Sequence, residues 1–156
     1  MLKVILVDDE PYILQGLQVI IDWEDCGFEI AAVCHNGKEA LNFLKENTVD
    51  LVITDIKMPE MTGLELLERI RTENISDAYF AILSGYNDFS FAQKAIRYSC
   101  MEYMLKPVAK EQLLELISKV LEQRKSIVIE EEEKKTWQRS YLIQNLSVPS
   151  IFPCWH

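Results

Sequence analysis

Residues 50–59 read Asp50-Leu51-Val52-Ile53-Thr54-Asp55-Ile56-Lys57-Met58-Pro59, a short β-branched apolar run that stops on a carboxylate. A run of this length and composition suits a strand covered on both faces, as inside a parallel sheet. Asp55 then stands at the strand's carboxyl end, and Pro59 turns the chain into a loop just beyond. A second run, Val4-Ile5-Leu6-Val7-Asp8-Asp9, has the same form and ends on two acids. Set side by side, the two strands bring three carboxylates to one edge of a sheet.

Outward from these strands the pattern alternates. Pro11 fits the first turn of a helix whose apolar residues Ile13, Leu14, Leu17, Ile20 and Ile21 recur at helical spacing, and Asp22 to Gly27 ends it. Phe28 to Val33 reads as the next strand. Asn36 with Glu39, and later Thr62 with Glu65, have the spacing of capping boxes, each opening a helix. The inner faces of those helices are Ala40, Leu41, Phe43 and Leu44, then Leu64, Leu67 and Ile70. Phe80 to Leu83 is a fourth strand, ending at Ser84-Gly85. Asn87 or Asp88 can cap a helix through Phe91, Ala92, Ala95 and Ile96. Glu102 to Leu105 is a short fifth strand cut off by Lys106-Pro107. A last helix carries Leu113, Leu114, Ile117, Val120 and Leu121.

Five strand–helix units with short connections predict an α/β fold with a parallel sheet and helices on both faces. The common five-stranded doubly wound order, 2-1-3-4-5, makes strands 1 and 3 neighbours, and ligands bind at the carboxyl ends of strands at that switch point. Asp8, Asp9 and Asp55 fall there.

The chain has 156 residues, 49% of them apolar, and a net charge of −9. That charge opposes nucleic-acid binding by this segment, since neutralising phosphates needs clustered Lys and Arg. No apolar run approaches the roughly 18 residues of a membrane span, and the N-terminus enters a strand without a signal-peptide pattern, so a cytoplasmic location is expected. Cys26, Cys34, Cys100 and Cys154 lack CxxC spacing and a matching His, which argues against zinc and for reduced thiols. His35 and His156 have no partner in the pattern. Trp23 reads as a packing anchor.

Three clustered carboxylates repel one another and call for a cation. Hard oxygen ligands with open positions suit Mg²⁺ (or Mn²⁺), which keeps waters and takes further ligands from phosphate oxygens. Strand 4 delivers the Ser84 hydroxyl to the same rim, and strand 5 the Lys106 ammonium. Together these groups make a site for a phosphoryl group, with Asp55 as the nucleophile. Each residue has a duller reading: Asp9 as a helix cap, Asp55 and Ser84-Gly85 as turn chemistry, Lys106-Pro107 as a surface turn. Four such coincidences at four strand ends are harder to accept than one site.

The motifs Val7-Asp8-Asp9-Glu10-Pro11, Asp55-Ile56-Lys57-Met58-Pro59 with Met61 and Gly63, Ser84-Gly85-Tyr86, and Lys106-Pro107 closely resemble the receiver domain of two-component response regulators. The resemblance covers about residues 1 to 124. Ile21-Asp22-Trp23-Glu24-Asp25-Cys26-Gly27-Phe28 and Leu83-Ser84-Gly85-Tyr86-Asn87-Asp88-Phe89 further resemble the YesN subgroup, whose members usually carry a C-terminal AraC-type DNA-binding domain. No such domain follows here, so the chain would be a piece of a longer protein.

The resemblance implies a flavodoxin-like (CheY-like) fold. It implies that Asp55 accepts a phosphoryl group from a sensor histidine kinase. Asp9, Asp55 and the Lys57 backbone carbonyl would bind Mg²⁺, with Asp8 acting largely through water. Ser84 and Lys106 would contact the phosphoryl oxygens, and Tyr103 would be the switch aromatic that reshapes the face of helix 4, strand 5 and helix 5. The peptide before Pro107 would be cis. Lys57 and Tyr86 occupy the two positions that tune phosphoryl lifetime in this family. Neither is an acid or amide that would position an attacking water, so slow self-dephosphorylation is expected.

From Ser126 onward an acidic run, Glu130 to Glu133, precedes Trp137, Tyr141, Leu142 and Ile143. Residues 125–146 read as a helical linker, able to pair two chains through Ile127, Trp137 and Tyr141, and residues 147–156 as a disordered tail. Two rivals of other classes remain. A haloacid-dehalogenase-type phosphatase would need a second acid two residues after the nucleophile, where Lys57 stands. A receiver-like interaction module that is never phosphorylated would have lost the acceptor or the lysine, and both are present.

Overall fold

The computed structural model describes residues 1–85 and 89–147. Elements alternate in the order β1 (Leu2–Val7), α1 (Pro11–Val19), β2 (Phe28–Cys34), α2 (Gly37–Glu46), β3 (Leu51–Asp55), α3 (Gly63–Thr72), β4 (Tyr79–Ser84), α4 (Phe89–Arg97), β5 (Glu102–Leu105) and α5 (Lys110–Ser147). The strands form one parallel sheet in the order β2-β1-β3-β4-β5. The fold class and strand order are those expected from the sequence. The chain divides into two compact units, Met1–Ser118 and Lys119–His156.

Within the first unit, β1 and β3 are covered on both faces. Ile5, Val7 and Val52 join a core with Ala40, Leu41 and Leu44 of α2 and Leu64, Leu66, Leu67 and Ile70 of α3. Because strand side chains alternate, Val4, Leu6, Leu51 and Ile53 face the other way, and all four are fully buried. This explains why both strands read as unbroken apolar runs.

Two helices start where their capping residues predict. The Asn36 side chain accepts from Glu39 N–H at 2.8 Å, and Thr62 Oγ1 accepts from Glu65 N–H at 3.1 Å. The Glu39 carboxylate returns to His35, accepting from its backbone N–H at 3.0 Å and lying 3.6 Å from its Nδ1, so His35 does have a partner. Such caps contribute about 1 kcal/mol each.

Other expectations shift. Helix α1 ends at Val19, so Ile20 and Ile21 lie beyond it; Ile21 is still buried, in the turn built around Trp23. Trp23 is buried edge-on to Phe28 and donates its Nε1–H to Leu17 O at 2.9 Å. Of the apolar residues that the sequence put in the fourth helix, Ala95 is buried and Ile96 is 73% exposed. The caps expected at Asn87 or Asp88 lie outside the described residues, as does Tyr86.

Ahead of β4 and β5, Arg71 of α3 donates to the backbone carbonyls of Tyr98, Ser76 and Ala78 at 3.2, 3.2 and 2.8 Å. Its guanidinium also lies over the Phe80 ring, 5.2 Å from the centroid. Tyr98 additionally donates its hydroxyl to Glu68 at 3.0 Å, which joins the end of α4 to α3.

In the second unit α5 continues as helix to Ser147, so residues 125–146 are helical. Ile127, Val128, Ile129, Leu142 and Ile143 are exposed there, and Trp137 stacks on Tyr141 with centroids 5.2 Å apart. The tail from 148 onward lies outside the described residues. No helix among the described residues is long and apolar enough to cross a membrane.

Candidate phosphoryl and metal site

Parallel register aligns the carboxyl ends of the strands. Val7 pairs with Thr54, Asp55 with Leu83, and Ser84 with Leu105. Backbone bonds carry this alignment past the strand ends: Ile56 N–H donates to Leu83 O at 2.9 Å, and Lys106 N–H to Ser84 O at 2.8 Å. Asp8, Asp55, Ser84 and Lys106 therefore reach one rim from four strands.

Ligand atoms of Asp8, Asp9, Glu10 and Asp55 all lie within 4.8 Å of one another. Asp8 and Asp55 are buried, Asp9 and Glu10 exposed. The Lys106 ammonium stands 3.0 Å from Asp8 Oδ2 and 3.1 Å from Asp55 Oδ1. Asp8 Oδ1 accepts from Glu10 N–H at 2.9 Å, and Asp55 Oδ1 from Ile56 N–H at 2.9 Å. Asp9, Asp55, Lys57, Pro59, Gly85 and Lys106 line an open cleft over these groups. The Lys106-Pro107 peptide is cis.

Burial pushes the Asp8 and Asp55 carboxyls above the ordinary aspartate range; Lys106 and the backbone donors pull them only part of the way back. For Lys106, burial alone acts downward, but the hydrogen bond to Asp8 and the charges of Asp55 and Asp8 outweigh it, so its pKa is raised. Four oxygen donors drawn together at an open cleft are the donor set of a hard divalent cation such as Mg²⁺. A lysine between two of them supplies positive charge for an anionic group entering the cleft.

The sequence-derived residues Asp8, Asp9, Asp55, Lys57 and Lys106 thus come together. Ser84, fully buried, ends β4 on the same rim. Tyr103 lies opposite Ile82 on β5 and packs partly buried against the core, its hydroxyl buried without a hydrogen-bond partner among the described residues. Sequence reasoning gave Glu10 no role, although its place next to the acid pair was the available signal. It also named Gly63 only as a motif residue. A Cβ there would fall 2.2 Å from Asp55 O, a proximity invisible in the sequence.

Among the described residues, no cysteine belongs to this site. Burial pushes the Cys34 and Cys100 thiols up to about 11, and Cys26, Cys34 and Cys100 are free.

Comparison with known proteins agrees with this geometry. The response regulator receiver domain family matches residues 4–118. The transcriptional regulatory protein YesN of Bacillus subtilis is 36% identical over 125 residues, covering 80% of this chain and 34% of YesN. HptR, a transcriptional regulatory protein of Staphylococcus aureus, is 37% identical over 121 residues, 78% of this chain and 47% of its own length. The chain thus spans about a third to a half of these relatives. Among solved structures, the REC domain of AraT, a response regulator from Geobacillus stearothermophilus, superposes with a TM-score of 0.73 at 35% identity, covering 80% of this chain and 96% of that domain. With a matched segment that contains all but the first two residues of the sheet and every residue of the acidic cleft, the chain belongs to the response regulator receiver domain family.

Proposed function

We propose that this chain is a phosphorylation-switched receiver in which Asp55 takes a phosphoryl group from a phosphohistidine on a sensor kinase. The observation that carries this reading is the convergence of four carboxylates with Lys106 at 3.0 and 3.1 Å from Asp8 and Asp55. A carboxylate oxygen of Asp55 attacks phosphorus; the P–O bond forms as the P–N bond breaks, and the histidine imidazole leaves. Lys106 and the Ser84 hydroxyl contact the phosphoryl oxygens. Asp9, Asp55 and the Lys57 carbonyl hold Mg²⁺ or Mn²⁺, which would neutralise charge on the transferring group. Asp8, both of whose carboxylate oxygens accept protein donors, acts on the metal through water.

Ser84 and Tyr103 form the switch. Its output face is α4-β5-α5, where Ile96, Leu105 and Leu114 are 73%, 44% and 36% exposed. Output is transcriptional, through an AraC-type domain outside this chain, with homodimerisation by that face or by residues 125–146. The protein works in the cytoplasm. Lys57 and Tyr86 leave the acyl phosphate long-lived, and a half-life of seconds would refute that part.

The test adds beryllofluoride, a phosphoryl mimic, with Mg²⁺ to the protein and to Asp55→Asn, following Ser84 and Tyr103 by NMR and oligomeric state in parallel. The expected result is a Mg²⁺-dependent shift that Asp55→Asn abolishes. No response in the unsubstituted chain would hand the reading to a non-phosphorylated interaction module.

A further inference from the structure

We propose that Gly63, assisted by Gly37, is a positioning residue for Asp55: the two glycines seat the 56–62 loop so that the carboxylate and the Lys57 carbonyl face the cleft. This rests on the phosphoacceptor reading and adds to it the means by which the acceptor is held.

A Cβ on Gly63 would lie 2.2 Å from Asp55 O, 3.1 Å from Asp55 C and 3.2 Å from Ile56 Cα, all backbone atoms. Backbone cannot swing aside as a side-chain tip can. The φ of Gly63 lies outside the left-handed region, so glycine is required there by space and not by conformation. The close approach is fixed by Gly63 N–H donating to Ile56 O at 2.9 Å. Ile56 in turn donates its N–H to Asp55 Oδ1 at 2.9 Å, the oxygen that Lys106 reaches at 3.1 Å. Displacing the 55–56 peptide therefore moves the carboxylate.

The other side of the loop is seated on α2. A Cβ on Gly37 would meet Met61 Cγ at 2.9 Å, Met61 Cβ at 3.0 Å and Met61 O at 3.1 Å. Between the two contacts Glu60 takes a left-handed φ of 67°, and Met61 N–H closes on Pro59 O at 2.7 Å. A non-glycine residue held in that region marks a loop whose path its surroundings impose.

The experiment compares Gly63→Ala, Gly37→Ala and Gly27→Ala. Gly27 has a φ of 85° and nothing within 4 Å of an added Cβ, so Gly27→Ala strains the fold away from the cleft. In metal-free protein the Asp55 carboxyl and Lys106 ammonium resonances report positioning directly; uptake of beryllofluoride with Mg²⁺, followed by ¹⁹F NMR, reports its consequence. Gly63→Ala should move both resonances and slow uptake by on the order of 10- to 100-fold, the cost of misplacing a reacting group. Gly27→Ala should lower the melting temperature with both readouts at wild-type values. Gly37→Ala should give a smaller shift of the same kind, which Met61→Ala partly reverses. Wild-type resonances and uptake in Gly63→Ala, or equal losses in Gly63→Ala and Gly27→Ala, would overturn the proposal. Should Gly63→Ala fail to fold, unmoved resonances in Gly37→Ala overturn it. Wild-type protein that takes up no beryllofluoride would sink the phosphoacceptor reading, and the metal-free resonances would still decide the role of Gly63.

Discussion

The Lys106 ammonium and the Asp55 carboxylate are in contact at 3.1 Å, so Asp55 has a counter-cation before any ligand enters the cleft. Lys106 holds Asp8 in the same grip at 3.0 Å. Replacing it by alanine leaves two buried carboxyls facing each other. Both already sit above the ordinary aspartate range, and their values rise further. A carboxyl whose folded value is raised gives stability at low pH that is lost as pH climbs through that value. Lys106→Ala should therefore cost on the order of 2 kcal/mol at neutral pH, less than a fully buried broken pair, and recover part of it as the solution is acidified. Urea midpoints at neutral and mildly acidic pH test this; a deficit that grows on acidification contradicts it.

The Tyr103 hydroxyl is buried with no hydrogen-bond partner among the described residues. Such a group costs about 1–3 kcal/mol relative to one in water. Tyr103→Phe should raise stability by about 1 kcal/mol while keeping the ring's packing against the core. A clear fall in the denaturation midpoint would mean that the hydroxyl is satisfied in solution.

Cys34 and Cys100 hold protons in the folded chain up to about 11, against an ordinary value of 9.0. Between those limits the unfolded chain has released protons that the folded chain keeps. Stability is thus fully supported below 9 and falls as pH rises through the folded values. The loss across this window should be smaller in Cys34→Ala/Cys100→Ala, a comparison that cancels the lysines and tyrosines titrating nearby.

Trp23 anchors the turn between α1 and β2 through burial and its bond to Leu17 O. Trp23→Phe should cost about 1–2 kcal/mol and Trp23→Ala about 3–5 kcal/mol by thermal unfolding. Near-neutral behaviour of Trp23→Ala would show that the turn is held without it.

The fold was legible because β1 and β3 are covered on both faces and stop on acids, a pattern few other arrangements give. Asn36 and Thr62 announced their helices because capping is local chemistry, complete within four residues. Ala95 and Ile96 were both read into one helix, but adjacent helical residues point about 100° apart, so Ala95 is buried and Ile96 is 73% exposed. Leu114 and Leu121, at 36% and 40% exposed, likewise stand next to the buried Leu113 and Val120. In the site, the acids and Lys106 could be found because each follows a recognisable strand. The packing of Gly63 on Asp55 and of Met61 on Gly37 could not, since it depends on distances between elements.

Arg71 offers a different consequence. It grips Tyr98, Ser76 and Ala78 through main-chain oxygens alone, and every residue type supplies those. Exchanging the side chains at these three positions leaves the clamp in place, whereas one exchange at position 71 removes three bonds at once. Tolerance to sequence change is therefore lopsided around this corner of the protein: the clamp itself constrains only position 71, and what limits Ala78 and Tyr98 is separate, the burial of one and the bond of the other to Glu68.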